Sequence, residues 1–371
     1  MNARTALLAA GGTGGHLFPA LALATELAAR GWAVELATDE RCDQYDFPAR
    51  KIHIIPSDTF RSRNPLSRLR TFFTLGRGVL KARKLIRGLK PDIAVGFGGY
   101  PTLPPLIAAT QLKIPTIVHE ANAVLGRANK LLARRVTAIG LSVENTALLD
   151  DSFSKKARVV GMPVRESVLA AALTPYQAPG NDDIIRILVF GGSQGARVFA
   201  DVVPEALGRL PEKLRARLSI VQQVREEDLP RVEPFYAKLG LQNYEIAAFF
   251  KDLPARMSNA HLVLARSGAS TVNEITVIGR PSILVPLPHA LDNDQLRNAQ
   301  SLAAAGAAIL AEQKELNPER LSALLSATLQ DPLWMENCAK AAKAFGRPNA
   351  AKLLADLVED VARAKSVKDA A

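Results

Sequence analysis

Thr5-Ala6-Leu7-Leu8-Ala9-Ala10-Gly11-Gly12-Thr13-Gly14-Gly15-His16, closed by Pro19, is the stretch whose reading decides the fold. Its first six residues form an apolar run without alternation, which reads as a strand buried on both faces. Glycine at positions 11, 12, 14 and 15 lets the backbone turn sharply and come close to a ligand. Ala20 to Arg30 then reads as a helix. A strand, a glycine turn and a helix open a doubly wound α/β domain, and the first amides of such a helix have no internal partner, which suits an anion. His16 sits in the turn with an imidazole, the side chain that ordinarily titrates nearest neutral pH. The dinucleotide fingerprint is broken, because Leu17 stands where its third glycine belongs. The loop therefore reads as phosphate- or sugar-facing rather than nicotinamide-binding.

Outward from this opening, strands and helices alternate. Ala33–Thr38, Lys51–Ile55, Asp92–Gly96, Thr116–His119 and Val136–Gly140 read as strands. Leu66–Leu89 has helical spacing interrupted by Gly76 and Gly78, and Thr102–Gln111 and Gly126–Ala133 are shorter helices. Buried strands separated by helices predict a parallel sheet, with ligands beyond its carboxyl ends. Three loops fall there: Gly11–His16, Gly96–Pro101 and His119–Asn122. After a loop at Thr174–Asp183 the pattern restarts. Ile184–Phe190 is a strand, Gly191-Gly192-Ser193-Gln194-Gly195-Ala196 a second glycine turn, and Ala196–Leu210 a helix. Leu218–Gln222, Tyr244–Ala248, Leu262–Ala265 and Ser282–Pro286 continue as strands. Asn317-Pro318 starts a helix, and Ala350–Lys365 is an amphipathic one. The fold class is α/β, with two Rossmann-like domains.

The densest polar constellation is Arg266-Ser267-Gly268-Ala269-Ser270-Thr271-Val272-Asn273-Glu274, at a second strand-to-helix turn. Its small residues leave amides for a diphosphate. Glu274 either accepts from a ribose diol or compensates the helix dipole. Asp292-Asn293-Asp294 has the spacing of a metal-holding Asp-x-Asp element, but Asp292 reads better as the N-cap of a helix over Gln295–Ala305. No other His or carboxylate cluster has ligand spacing, so no protein-held metal and no cofactor are expected. His53 and His261 lie beside apolar strand positions and read as structural.

Composition narrows the function classes. The chain has 371 residues, 48% of them hydrophobic, enough for two α/β domains. No unbroken apolar stretch reaches the ~18–20 residues of a membrane span, and no secretory signal is expected. Cys42 and Cys338 form no metal pair or disulfide framework, which fits a reducing cytoplasm. A net charge of +11 calls for an anionic partner. Aromatic content of 5%, without basic–aromatic interleaving suited to base stacking, disfavours nucleic acid. The segment Arg61–Lys90 instead carries ten Lys or Arg and no Asp or Glu, interleaved with Leu69, Phe72, Phe73, Leu75, Val79 and Leu80. Basic residues with exposed aromatics are what an anionic membrane surface binds.

Gly11–His16, Gly98-Gly99-Tyr100, His119-Glu120 with Asn122, Pro163-Val164-Arg165, Gly191–Ala196 and Arg266–Glu274 occur in an order that resembles the peptidoglycan N-acetylglucosaminyltransferases, which convert lipid I to lipid II. The resemblance spans nearly the whole chain. It implies a GT-B architecture with a cleft. Residues 1–162 would form the acceptor and membrane-side domain, residues 163–343 the UDP-sugar domain, and a helix within 344–371 would pack back on the first. It implies a donor, UDP-N-acetylglucosamine, an acceptor, undecaprenyl-diphosphate-muramyl-pentapeptide, and a peripheral place on the cytoplasmic face of the bacterial inner membrane. Thr13, Gly14 and Gly15 would face the donor diphosphate and the acceptor, and Asn122 and Gln295 would hold the N-acetylglucosamine. Arg165, Ser193 and Phe250 would contact the nucleotide. Ala269, Ser270, Thr271, Val272, Asn273 and Glu274 would hold diphosphate and ribose. Inverting transfer to the muramyl 4-hydroxyl needs a base. His16 is the first candidate and Glu120 the second, with orientation of His16 or the acceptor as its other role. The chain departs from the family pattern at Ala121 and Met162, where Gln and Asn are usual, and by one residue of length near Ala290.

Overall fold

The computed structural model describes residues 3–11, 14–40, 49, 51–59, 65–192 and 195–370. They form two compact units, residues 1–165 with 348–371, and residues 166–347.

In the first unit, β1 (Thr5–Ala9), α1 (Gly14–Ala29), β2 (Ala33–Thr38), β3 (Ile52–Ile54), α2 (Pro65–Leu89), β4 (Ile93–Gly96), α3 (Leu103–Gln111), β5 (Thr116–Glu120), α4 (Arg127–Ala133), β6 (Ala138–Leu141) and β7 (Ala157–Val159) follow in order. The sheet runs β3-β2-β1-β4-β5-β6-β7, and every pairing is parallel. The central strands β4 and β5 are buried at every residue, as their unbroken apolar runs require. β7 has three residues and no periodicity long enough to read.

Two helices differ from the sequence expectation. α1 starts at Gly14, so Pro19 lies inside it and His16 belongs to its first turn rather than to a preceding loop. The proline forfeits one helical bond, to the carbonyl of Gly15. Leu17, Leu23, Ala24 and Leu27 bury one face of the helix and hold it regardless. α2 runs unbroken through Gly76 and Gly78. Gly78 is required by close packing, since a Cβ there would lie 2.1 Å from the carbonyl oxygen of Pro56.

The second unit comprises α5 (Glu166–Ala171), β8 (Ile185–Phe190), α6 (Arg197–Gly208), α7 (Glu212–Arg215), β9 (Leu218–Gln223), α8 (Leu229–Tyr236), β10 (Asn243–Ala247), α9 (Leu253–Asn259), β11 (Leu262–Ala265), α10 (Ala269–Ile278), β12 (Ser282–Leu284), α11 (Asp294–Ala304), β13 (Ile309–Leu310), α12 (Pro318–Leu329) and α13 (Pro332–Phe345). Its sheet, β10-β9-β8-β11-β12-β13, is also parallel throughout.

Finally α14 (Ala350–Ala370) returns to the first unit. Leu354, Ala355, Leu357 and Val358 are buried in the same cluster as Ala6 and Leu8 of β1 and Leu23 and Leu27 of α1. Each leucine buried this way is worth roughly 1.5–3 kcal/mol. Arg30 clamps the packing, donating to Asp356 at 2.7 Å and to the Lys352 carbonyl at 3.3 Å. The return begins at Pro348 rather than Ala344, because α13 continues to Phe345.

Candidate active site

In the first unit the loops after β1, β4 and β5 lie side by side, because those three strands are neighbours. His16 fills the space between the first two. A Cβ placed on Gly99 would lie 3.3 Å from its Cε1, and one on Gly98 would lie 3.5 Å from its Cδ2. Both glycines have left-handed backbone, φ +82° and +73°, so the imidazole rests on a platform that other residues would strain and obstruct. Thr102 braces the platform, donating to the Gly98 carbonyl at 2.5 Å.

Glu120 ends β5 and is 3% exposed. Its Oε1 accepts the Asn122 backbone N–H at 3.0 Å and the Asn122 side-chain amide at 3.2 Å. Its Oε2 accepts the Gly126 N–H at 2.8 Å and the Asn129 amide at 2.8 Å. Burial pushes the carboxyl above its usual range, against the opposing pull of these bonds. A carboxylate offers about four lone-pair positions, and the loop after β5 together with Asn129 of α4 takes them. Glu120 therefore fastens Asn122 in place. Asn129, which nothing in its residue type singles out inside a short helix, also donates to the His119 carbonyl at 3.0 Å and sits beside Gly98. His119 points to the other face of β5, where its Nε2 donates to the Gly161 carbonyl at 2.8 Å and burial lowers its pKa to about 4.

Gly14 and Gly15 are the first residues of α1, at the same carboxyl edge. Arg165 closes the first unit, its guanidinium 4.3 Å from the Phe18 ring of α1. Thr13 and Ser193 lie outside the described residues.

In the second unit the site-bearing turns follow β8, β9, β10 and β11. Gln223, buried at the end of β9, ties two of them together: it accepts from Gly191 N–H at 3.0 Å and donates to the Ala248 carbonyl at 3.2 Å. That second turn leads to Phe250, which is buried beneath the guanidinium of Arg256 at 4.3 Å. Gln223 escaped the sequence reading because a glutamine ending a strand looks like any polar boundary.

α10 opens at Gly268, whose backbone leaves open space where a Cβ would go. The hydroxyl of Ser270 is buried and has no hydrogen-bond partner among the described residues. Ala269 and Thr271 flank it in the first turn. Asn273 spends its amide on the Ala269 carbonyl at 2.8 Å, and Val272 is buried. Glu274 is 6% exposed and stands in the second turn; the first turn holds no acidic residue. First-turn dipole compensation, the plainer of its two readings, thus does not describe it. Arg266 is a brace: it donates to the Val285 and Pro286 carbonyls and to Gln313, and burial lowers its pKa to about 10.

Gln295, in the first turn of α11, is joined to the α10 entrance. Ser267 donates to its backbone carbonyl at 2.8 Å, and its own side-chain carbonyl accepts from Leu287 N–H at 3.0 Å. The N-cap of α11 is Asn293, not Asp292. Asp292 and Asn293 both have φ near +55°, which places Asp292 outside the helix; the Asn293 side chain makes no capping bond, and Asp294 Oδ1 accepts the Gln295 N–H at 2.7 Å. Among the described residues no three His, Cys, Asp or Glu side chains gather as a metal cage.

His53 and His261 are structural, as expected. His53 pairs with Glu35 at 2.5 Å. His261 accepts the Arg186 backbone N–H at 3.1 Å, and burial with the Arg186 charge lowers its pKa to about 4. It borders a concavity of about 630 Å³ at the amino-terminal ends of β8 and β11, away from the loops described above.

Two units, each a parallel sheet covered by helices with glycine turns at its strands' carboxyl ends, have the GT-B architecture. The chain belongs to glycosyltransferase family 28: residues 6–141 match the family's N-terminal domain and residues 186–354 its C-terminal domain. It is 54% identical, over 99% of its length and 97% of theirs, to proteins of Brucella abortus (strain S19) and Brucella canis named UDP-N-acetylglucosamine--N-acetylmuramyl-(pentapeptide) pyrophosphoryl-undecaprenol N-acetylglucosamine transferase. A crystal structure of Acinetobacter baumannii MurG superposes with a TM-score of 0.77 at 29% identity, covering 96% of this chain and 99% of that one. The UDP-GlcNAc 2-epimerase of Neisseria meningitidis, at 16% identity and a TM-score of 0.69 over 96% of this chain and all of that one, shares the fold.

Proposed function

We propose that this protein transfers N-acetylglucosamine from UDP-N-acetylglucosamine to the 4-hydroxyl of the muramyl sugar in undecaprenyl-diphosphate-muramyl-pentapeptide, inverting the anomeric centre. The full-length relation to the Brucella transferases carries this reading. Inversion requires one direct displacement, with a base on the acceptor hydroxyl and stabilisation of the departing diphosphate. We assign the acceptor to the first unit, with His16 on its glycine platform as base. We assign Glu120 as a positioning residue: two of its four bonds hold Asn122, which we place against the sugar, and the other two go to Gly126 and Asn129, so its lone pairs are spent. We assign the donor to the second unit. The free amides at the start of α10 and the unpartnered Ser270 hydroxyl receive the diphosphate, Glu274 the ribose, Phe250 the uracil through its backbone, and Gln295 the N-acetyl sugar. The test is a product assay with labelled UDP-N-acetylglucosamine and lipid I. Transfer of label into a disaccharide lipid is the expected result; no transfer, or transfer only to water, would overturn the reading.

No helix among the described residues is long and apolar enough to cross a membrane. The acceptor is nevertheless lipid-anchored, and we assign docking on the cytoplasmic face of the inner membrane to α2. Leu69, Phe72, Phe73 and Leu80 are 54–71% exposed, and Arg68, Arg70, Arg77 and Lys81 are exposed around them. Leu75 and Val79 are half-buried, and Val79 packs against the core. Residues 61–64 of the basic segment lie outside the described residues. Each basic group near an anionic leaflet adds about 1 kcal/mol at low salt. Changing Arg68, Arg70, Arg77 and Lys81 to Glu is expected to abolish co-sedimentation with anionic vesicles while UDP binding persists. Undiminished sedimentation would remove α2 from this role.

A further inference from the structure

The turn after β9 contributes a cation that no part of the reading above uses. Its backbone is fixed on both sides. Val224 N–H donates to the Ala247 carbonyl at 3.0 Å, and the Arg225 carbonyl accepts from Asp228 at 2.9 Å and Leu229 at 3.1 Å. Two neighbouring arginines are matched by acids. Arg231 donates to Asp228 at 2.8 Å and also pairs with Asp201, while Arg197 faces Asp228 at 3.8 Å. Arg225 is not matched in this way. Its Nε is buried with no hydrogen-bond partner among the described residues, and its Nη1 meets only the exposed carboxylate of Glu227, at 3.4 Å. A solvent-screened pair of that kind contributes little.

The stem of Arg225 lies on the second glycine turn. A Cβ placed on Gly195 would be 3.1 Å from Arg225 Cγ, and Gly195 has φ +67°, so the arginine occupies the space a side chain there would take. The order of strands puts this arginine between the turn leading to Phe250 and the turn of Gly191–Gly195, the two that Gln223 fastens together. A buried guanidinium N–H left unpaired is costly, and a phosphoryl oxygen is the partner its planar fork suits best.

We propose that Arg225 is a donor-binding residue that contacts the diphosphate of the nucleotide sugar. The proposal rests on the assignment of the donor to the second unit. The experiment is calorimetric titration of wild type, R225K and R225Q with UDP and with uridine, at low and moderate salt. We expect R225Q to lose about ten- to a hundredfold in UDP affinity, R225K to lose less, and uridine affinity to stay the same. The salt dependence of UDP binding should be shallower in R225Q, since one phosphate contact is gone. Equal UDP affinity in wild type and R225Q would overturn the inference, as would a parallel loss of uridine and UDP, which a purely structural role produces. Failure of the wild type to bind UDP would instead overturn the donor assignment itself.

Discussion

Glu120 and Glu274 are both buried carboxylates near the carboxyl edge of a parallel sheet, and their surroundings differ. Glu120 accepts four amide bonds, three from the loop that follows it and one from Asn129 of α4. Glu274 stands one turn inside α10, behind a mouth with an open glycine and an unpartnered serine hydroxyl. In the first unit the polar groups around Glu120 are spent on one another. In the second, the mouth of α10 keeps a buried serine hydroxyl without a partner among the described residues, which supports the donor-binding role we propose for it.

The sharpest way to break this contrast is His16→Ala. Loss of general base help should lower kcat roughly 10²–10⁴-fold, while the dissociation constant for UDP stays near that of wild type. If turnover survives, the first unit is not where the proton moves.

Acid titration compares the interiors of the units. His119 in one and His261 in the other are held neutral, each with its pKa lowered to about 4. The unfolded chain takes up a proton near pH 6.5 that the folded chain refuses. Stability is therefore full above that pH and falls as pH drops toward 4. For the fully buried His119 the loss across this window is on the order of 3 kcal/mol. Denaturant melts of His119→Gln at pH 7 and pH 4.5 should show a shallower fall than wild type; an identical fall would mean that His119 is already charged or solvated.

Glu274→Ala tests the second unit. A lost charge-assisted bond to ribose should weaken UDP by about 1.5–3 kcal/mol. Unchanged binding would place the carboxylate in the helix's own packing.

The smallest effect discriminates most finely. Ser270→Ala should cost about 0.5–1.5 kcal/mol of UDP binding yet leave the free protein as stable or slightly more so, because its hydroxyl has no partner to lose. A drop in melting temperature would show that the mouth of α10 is not the unspent site described above.

That glycine-rich turns follow β1, β4 and β8 is legible in the sequence, because glycine clusters after buried strands have few structural solutions; the first is shorter than it reads, since α1 begins at Gly14. The parallel sheets were legible too, from apolar runs without alternation. The short edge strands β7 and β13 were not legible, having too few residues to show a period. Pro19 reads as a helix boundary, but burial of Leu17 and Leu23 outweighs one missing bond and α1 starts at Gly14. Asp292 reads as a cap by residue type, but the chain turn at Leu291–Asn293 puts the N-cap position one residue later, at Asn293.

By itself, then, the sequence determined the class of fold, the order of glycine turns and the family, since these follow from local patterns and from motifs in fixed succession. The tertiary structure alone decided what each polar group is free to do. Glu120 meets Asn129 through the packing of α4, Gln223 joins two turns on either side of its strand, and Arg225 lies on Gly195 from another loop. Hydrogen-bond capacity is finite, and only the packed chain shows which partners have already consumed it.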